Sequence, residues 1–292
     1  MANLDKSQKK YAKKLFDQLE AILGKKDIKD LDKDELKTVI ALGEKFKDLV
    51  IHKKMQTGGI TEIAGKTPEG KEVWFDLDEQ LEEWRSFYQK HGIDWCELPD
   101  EISVTEEEEQ EMQRLIEELG FDHMLIIPEN LADTGEKYRQ LHEKMSEGYN
   151  KFFESDWFKE DGSFEGLRNK SNGLRIILCK NIQELDEDEL HESTLNKSVD
   201  DLEAEDGIFA QNGVRGMDSA IYLVLQRKYY EQTGQHLDSK KWIWLTEHER
   251  PASGRVPYAS WDHVHSRLHF CSLQSAHRDT FLGCRLAGSF EK

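Results

Sequence analysis

Cysteine is scarce, with four residues at 96, 179, 271 and 284 of 292, no CxxC pair and no disulfide-like density. That excludes a disulfide-framed scaffold and predicts reduced thiols in a cytosolic protein. No apolar run approaches the roughly 20 residues of a membrane-spanning helix, and the start at Met1–Lys6 has no hydrophobic leader core. The expected location is therefore the cytoplasm, without a membrane segment. Positive charge is in deficit: 40 Lys and Arg stand against 59 Asp and Glu, a net charge of −19. This argues against bulk electrostatic binding of nucleic acid. Glycine-rich phosphate loops, HExxH, GxSxG and EF-hand loops are all missing. The segment Asp156–Gly162 resembles a calcium loop only in its closing Asp161-Gly162 and reads as a turn.

What is present suffices for a core. Hydrophobic residues make up 37% and aromatics 10%, too many for a disordered chain, and the length suits one large domain or two ordinary ones. Helical periodicity predicts helices over about 6–23, 34–52, 76–91 and 105–119, the last opened by the capping-box pattern Thr105…Glu108 and stopped by Gly120. The acidic run Glu106–Glu109 then faces the positive end of a helix dipole, a plainer reading than a metal site. Thr67-Pro68-Glu69-Gly70 marks a turn. Further on, 124–128 and 174–179 read as buried strands, 138–153 and 217–233 as helices, and the acidic stretch 184–205 as a surface insertion with short helical pieces. From Lys241 onward the pattern is strand and loop: 242–246, 255–261, 267–270 and 282–290. Helices followed by short strands predict an α+β fold.

The second absence is local. Lys and Glu together number 63, so a 37-residue window holds about eight on average. The window Gly254–Phe290 holds none, and also lacks Asn, Met and Ile. Its charges are Arg255, Arg267, Arg278 and Arg285 against Asp262 and Asp279, giving +2, whereas residues 1–253 carry −21. His263, His265, His269 and His277 also lie there.

Within this tail, Ser260-Trp261, Ser266-Arg267-Leu268, Ala276-His277-Arg278 and the closing Leu282-Gly283-Cys284-Arg285-Leu286 resemble the C-terminal end of formylglycine-generating-enzyme-like domains. That end reads Ser-Trp, an Arg-rich middle and a Gly-x-Arg-Leu strand, on a variant of the C-type-lectin-like fold. Within the superfamily, the tail looks most like the variable proteins of diversity-generating retroelements. In those systems a reverse transcriptase copies a template with its adenines randomised, chiefly in Asn codons, into the 3′ end of the gene. Randomising both adenines of AAC or AAT reaches every residue type except Trp, Gln, Met, Lys and Glu. The window lacks Met, Lys and Glu; Trp261 would be a fixed anchor and Gln274 unrandomised.

The resemblance implies a helical N-terminal region (1–115) and a C-type-lectin-like ligand-binding domain (116–292), with a variable segment at about 255–290. The implied variable, solvent-facing contacts are Tyr258, Ser260, Asp262, His263, His265, His269, Cys271, Ser272, His277, Asp279, Thr280 and Phe281. The implied scaffold is Trp261, Leu268, Phe270, Gly283, Arg285 and Leu286. The partner would be a macromolecule, in the first place a protein, and the N-terminal helices would present the domain or hold an oligomer. No catalytic residue, metal or cofactor is assigned.

Two other readings stay open. A formylglycine-generating-type, sulfatase-modifying oxidoreductase would use copper or a thiol pair, but Cys271 and Cys284 stand thirteen apart where that family has a closely spaced pair. A His-rich metal-binding domain would use His263, His265, His269 and Cys271, whose spacing matches no structural zinc module.

Overall fold

The computed structural model describes residues 59–148, 153–154, 169–249 and 253–292. The helices expected over 6–23 and 34–52 and the Asp156–Gly162 turn lie outside them. The chain divides into two units, Met1–Thr61 with Ser103–Glu106, and Glu62–Ile102 with Glu107–Lys292. In the first, Ile60 and Val104 form an antiparallel bridge. The second is the larger and holds the whole Lys- and Glu-free tail.

Thr67-Pro68-Glu69-Gly70 does turn the chain, with the Gly70 amide donating to the Thr67 carbonyl at 2.8 Å. It joins two strands that periodicity did not reveal, β1 (Glu62–Lys66) and β2 (Glu72–Asp76). The region before residue 115 is therefore not helical throughout. The Asp76 carboxylate caps helix α1 (Leu77–Lys90) by accepting from the amides of Asp78 and Glu79. Helix α2 (Glu106–Leu119) ends at Gly120, whose φ of +71° favours glycine. The boundary expected near 115 falls inside this helix.

Strand β3 (His123–Ile127) is a sheet edge covered by α1: Trp84 Nε1 donates to the Met124 carbonyl (3.2 Å) and the Tyr88 hydroxyl to that of Ile126 (2.9 Å). Helix α3 spans Gly135–Met145, shorter than the expected 138–153; Ser146–Gly148 turn away, and Phe153–Glu154 form strand β4. Strand β5 (Arg175–Cys179) is buried along its whole length, as its run of apolar residues predicts for a strand covered on both faces.

Residues 184–205 depart from expectation. They form a 3₁₀ turn (Leu185–Glu187) and helices α4 (Glu189–Glu192) and α5 (Val199–Leu202), but Glu184, Leu185, His191, Thr194, Ser198 and Leu202 are buried. The short helical pieces are there and most of the acids face water, but Glu184 and a mixed underside of Leu185, His191, Thr194, Ser198, Val199 and Leu202 pack inward, so the stretch is part of the core wall rather than a surface insertion. Helix α6 (Ile208–Asn212) precedes helix α7 (Ser219–Thr233), which is capped by Asp218, stopped by Gly234 and packed on α3.

The remaining strands are β6 (Trp242–Trp244), β7 (Arg255–Asp262), β8 (Arg267–Gln274), β9 (Leu282–Cys284) and β10 (Ala287–Glu291). They complete a five-stranded sheet in the order β4-β8-β7-β6-β9 and a three-stranded sheet in the order β10-β5-β3. The unit is thus mixed, helices with sheets, in an α+β arrangement.

The single strand expected over 282–290 is broken at Arg285-Leu286, where the tail crosses from one sheet to the other. Gly283 is needed just before the crossing, because a Cβ there would lie 2.5 Å from Leu185 Cδ1 and 2.8 Å from Thr194 Oγ1. At the crossing the Arg285 guanidinium, 2% exposed, turns inward. Its Nε and Nη2 donate to the two Asp238 carboxylate oxygens at 2.8 and 2.9 Å, and Nη2 also reaches the Gln183 carbonyl at 2.8 Å. The Tyr222 hydroxyl donates to Asp238 as well, at 3.0 Å. Arg285→Ala should lower unfolding stability in urea by about 3–5 kcal/mol, because it strands a buried carboxylate. Adding Asp238→Asn should recover part of that loss; strictly additive losses would show that the two groups do not act as a pair.

Candidate ligand-binding face

Strand β8 alternates along its length. Leu268, Phe270 and Ser272 are buried, while Arg267, His269, Cys271 and Leu273 are partly open. Opposite residues of an antiparallel pair share a face. The register sets Asp262 beside Arg267, Ser260 beside His269 and Tyr258 beside Cys271. Strand β6 continues this face through Trp242, 36% exposed and stacked on Tyr258 at 5.3 Å.

A cavity of about 280 Å³ opens where the face meets the 235–241 loop. One wall comes from the tail: Ser260, Trp261, Asp262, His263, Arg267 and His269. The other comes from outside it: Ser239, Lys240 and Trp242.

Each wall is held by identifiable bonds. On the tail side, Asp262 Oδ1 accepts from the amides of Val264 and His265, closing the β7–β8 turn, and Oδ2 meets Arg267 Nε (2.9 Å) and His265 Nδ1 (2.7 Å). Burial works against the Asp262 charge, but the His265 and Arg267 hydrogen bonds outweigh it and hold the carboxyl down at about 2.

On the other side, the buried Glu184 carboxylate accepts from the Ser239 amide (2.9 Å), the Ser239 hydroxyl (2.5 Å) and the Lys240 amide (3.2 Å). Asp238, at φ +54°, passes its carbonyl to the Trp261 amide (3.0 Å). The His236 ring lies flat between Tyr230 (4.4 Å) and Trp261 (3.3 Å).

The expected contact residues divide into several groups. Ser260, Asp262, His263 and His269 line the cavity together with the scaffold residue Trp261. His265 is exposed beside them. His277, Thr280 and Phe281 are exposed and Asp279 half-buried on the β8–β9 loop, outside the cavity lining. That loop is tied down by Arg278–Asp201 (2.6 Å) and by the Val199 amide donating to the Ser275 carbonyl.

Three expectations of solvent exposure need correction. Tyr258 is 6% exposed and lies beneath Trp242 as an aromatic floor. Ser260 is 5% exposed, open only to the cavity. Ser272 is fully buried on the opposite face, where its hydroxyl accepts from Arg255 Nε at 2.8 Å. The scaffold residues Trp261, Leu268, Phe270, Gly283, Arg285 and Leu286 are all buried.

Cys271 and Cys284 stand on β8 and β9 with β7 and β6 between them, and both are free thiols. They form no thiol pair. The buried Cys284 thiol, its pKa raised by desolvation, has the Trp244 (3.8 Å) and Arg285 (3.5 Å) carbonyls as alternative acceptors for its one proton. Among the described residues, no group of three or more His, Cys, Asp or Glu gathers as a metal site. A larger cavity of about 580 Å³ lies beside α1, lined in part by Tyr88, Cys96 and Pro128, and takes in none of the expected residues. Burial pushes the Cys96 thiol up to about 11, so it is not an activated nucleophile.

Sequence reasoning missed Glu184, His236, Asp238, Lys240 and Trp242. One signal was available, an arginine inside the otherwise apolar 282–287 run, which requires a buried acceptor somewhere in the fold. Compared with known proteins, the chain matches no family model, no curated protein and no solved structure.

The stack has a pH signature. Burial, helped by the charge of Arg227, lowers the His236 imidazole from 6.5 to about 4. A lowered folded-state value means that the neutral ring's stabilisation is complete above about pH 6.5 and is lost as pH falls toward 4. His236→Phe should keep the stack and reduce the dependence of the urea midpoint on pH across that window, leaving the share of His91, His123, His142, His191 and His269, whose values burial also lowers. An unchanged slope would show that His236 does not titrate with unfolding.

Proposed function

We propose that the chain is a ligand-binding protein whose tail is diversified by a retroelement. On this reading the tail strands display a variable surface on a C-type-lectin-like scaffold of about 116–292, in the cytoplasm, toward a macromolecular and first of all protein ligand. The residues ahead of the scaffold present it or hold an oligomer, and binding rather than catalysis is the activity.

One observation carries the reading. Between 254 and 290 the exposed residues are His263, Val264, His265, Ser266, Gln274, Ala276, His277, Arg278, Thr280, Phe281 and Ser289, eleven positions without a single Lys or Glu. About half of the exposed residues elsewhere in the described chain are Lys or Glu. Burial accounts for a lack of these residues in a core, but it has no bearing on eleven water-facing positions. A restriction acting at the codon does account for it at the ten positions other than Gln274, which a randomised Asn codon cannot encode. The period-two alternation of β8 adds support, since it sets His269 and Cys271 on the open face and the anchors Leu268 and Phe270 behind them. A rigid frame with replaceable surface side chains is how recognition loops vary without loss of folding.

The genome tests this directly. A near-copy of the last coding segment should lie beside a reverse-transcriptase gene and differ chiefly at template adenines. Differences should fall on positions such as His263, His265, His277, Thr280 and Phe281, and should spare Trp261, Leu268, Phe270, Ser272, Gly283, Arg285 and Leu286. No such copy, or one differing mainly at the buried positions, overturns the proposal. In the protein, joint alanine replacement of His263, His265, His269 and His277 should cost roughly 2 kcal/mol or less in urea unfolding, as for side chains that bear no packing load. A larger loss would make them structural.

A further inference from the structure

The two walls of the 280 Å³ cavity have different origins. Ser239, Lys240 and Trp242 precede the tail; the buried Glu184 carboxylate accepts from the Ser239 and Lys240 amides, and the Trp242 amide donates to the Phe281 carbonyl. Resting on the reading that the tail varies, this wall would be the same in every version of the protein, so its chemistry is a constant requirement on the ligand.

Lys240 and Trp242 set that constant chemistry, and in this sequence the tail side adds Ser260 and Asp262 to it. Lys240 is exposed, and among the described residues no carboxylate lies in ion-pair range of its ammonium, whereas the neighbouring Lys241 meets Asp186 at 3.5 Å. Ser260, only 5% exposed, lines the cavity, and its hydroxyl has no hydrogen-bond partner among the described residues. Asp262 is the one carboxylate in the lining, and it is already held by Arg267 and His265. The lining therefore offers an unmatched cation, an unsatisfied hydroxyl and the indole face of Trp242, with no free negative charge.

We infer that this cavity accepts an acidic side chain of a polypeptide ligand, with the carboxylate on Lys240 and Ser260 and the adjoining chain against Trp242. The cavity, about 280 Å³, is at the lower edge of the roughly 300–1,000 Å³ of pockets that enclose drug-sized ligands, and it has room for a side chain entering from a longer chain. Charge favours a polypeptide over a nucleic acid. A strand of phosphates is held by a row of basic side chains, whereas the lining has two, Lys240 and Arg267, and Arg267 already holds Asp262.

The test uses the full chain and three fluorescein-labelled probes, hexaglutamate, hexaglutamine and hexathymidylate, read by anisotropy at low salt. Hexaglutamate should bind and hexaglutamine should not. Lys240→Gln should weaken binding about tenfold, the scale of one charge-assisted hydrogen bond. Ser260→Ala should weaken it less, and Lys66→Gln, an exposed lysine on the separate β1–β2 sheet, should leave it unchanged. The inference is overturned if hexaglutamate fails to bind at millimolar concentration, or binds equally well after Lys240→Gln. It is also overturned if hexathymidylate binds more tightly through the same lysine, which would make the site one for phosphate. A genomic near-copy together with no hexaglutamate binding would remove this inference alone; hexaglutamate binding without a near-copy would remove the diversification and leave the acidic site.

Discussion

The buried pairing of Arg285 with Asp238 is the constraint on which the rest of the tail depends. Taking both charges out of water is costly, and the cost is offset only if the geometry is good and the remaining polar atoms are satisfied. Here the guanidinium meets both carboxylate oxygens, a third bond goes to the Gln183 carbonyl, and Tyr222 supplies another donor to the acid. Burial pushes the Asp238 carboxyl up against the pull of Arg285, so the pair stands in tension and neither partner is dispensable. Its position gives it reach. Arg285 lies where the tail leaves the five-stranded sheet for the three-stranded one, and Asp238 lies on the loop that walls the cavity. One interaction thus fixes the strand crossing and one side of the candidate site.

A similar division of labour runs along β7 and β8. Each strand turns one face inward, where Leu268, Phe270 and Ala259 pack, and one toward the cavity, where Ser260, His269 and Asp262 stand. Because side chains alternate with period two, replacing an outward residue leaves the inward neighbours untouched. The turn between the strands is held by the Asp262 side chain, which also touches Arg267 and His265, so this position is less free to vary than the exposed residues beside it. Tyr258 and Ser272 show the limit of reading exposure from residue type. Both are polar-tipped, yet the register gives one an aromatic neighbour above it and the other an arginine partner below.

Legibility in the sequence depends on how local each signal is. The helices at 77–90, 106–119 and 219–233 announced themselves by apolar spacing and capping residues, and the strands at 124–127 and 175–179 by uninterrupted apolar runs. The β1–β2 strands were hidden because five-residue segments such as Glu62–Lys66 alternate too briefly to be told from loop, although their turn was plain. Residues 184–205 were misjudged because acidic composition dominated, while the apolar positions that pack inward are spaced irregularly across three short turns. Within the site, the tail residues stood out by composition, but Glu184 and Asp238 act at a distance in sequence of 55 and 47 residues from their partners, and no local pattern carries that.

The tail's cations separate two explanations for its missing lysine. Arg255 binds Ser272 through both its hydroxyl and its carbonyl, Arg267 holds the Asp262 carboxylate beside the turn, and Arg285 bridges Asp238 and Gln183. The forks at Arg255 and Arg285 need a planar group with several fixed donors, and lysine cannot supply that geometry. Structure alone therefore accounts for arginine in place of lysine at those two positions. It does not account for the absence of glutamate, nor for the absence of both residues from the exposed positions on the β7–β8 turn and the β8–β9 loop, where His263, His265, His277 and Thr280 face water. Exposed sites of this kind accept Lys or Glu at little cost in stability. The compositional argument thus rests on the surface of the tail and not on its core, and the surface is also where a ligand would touch it.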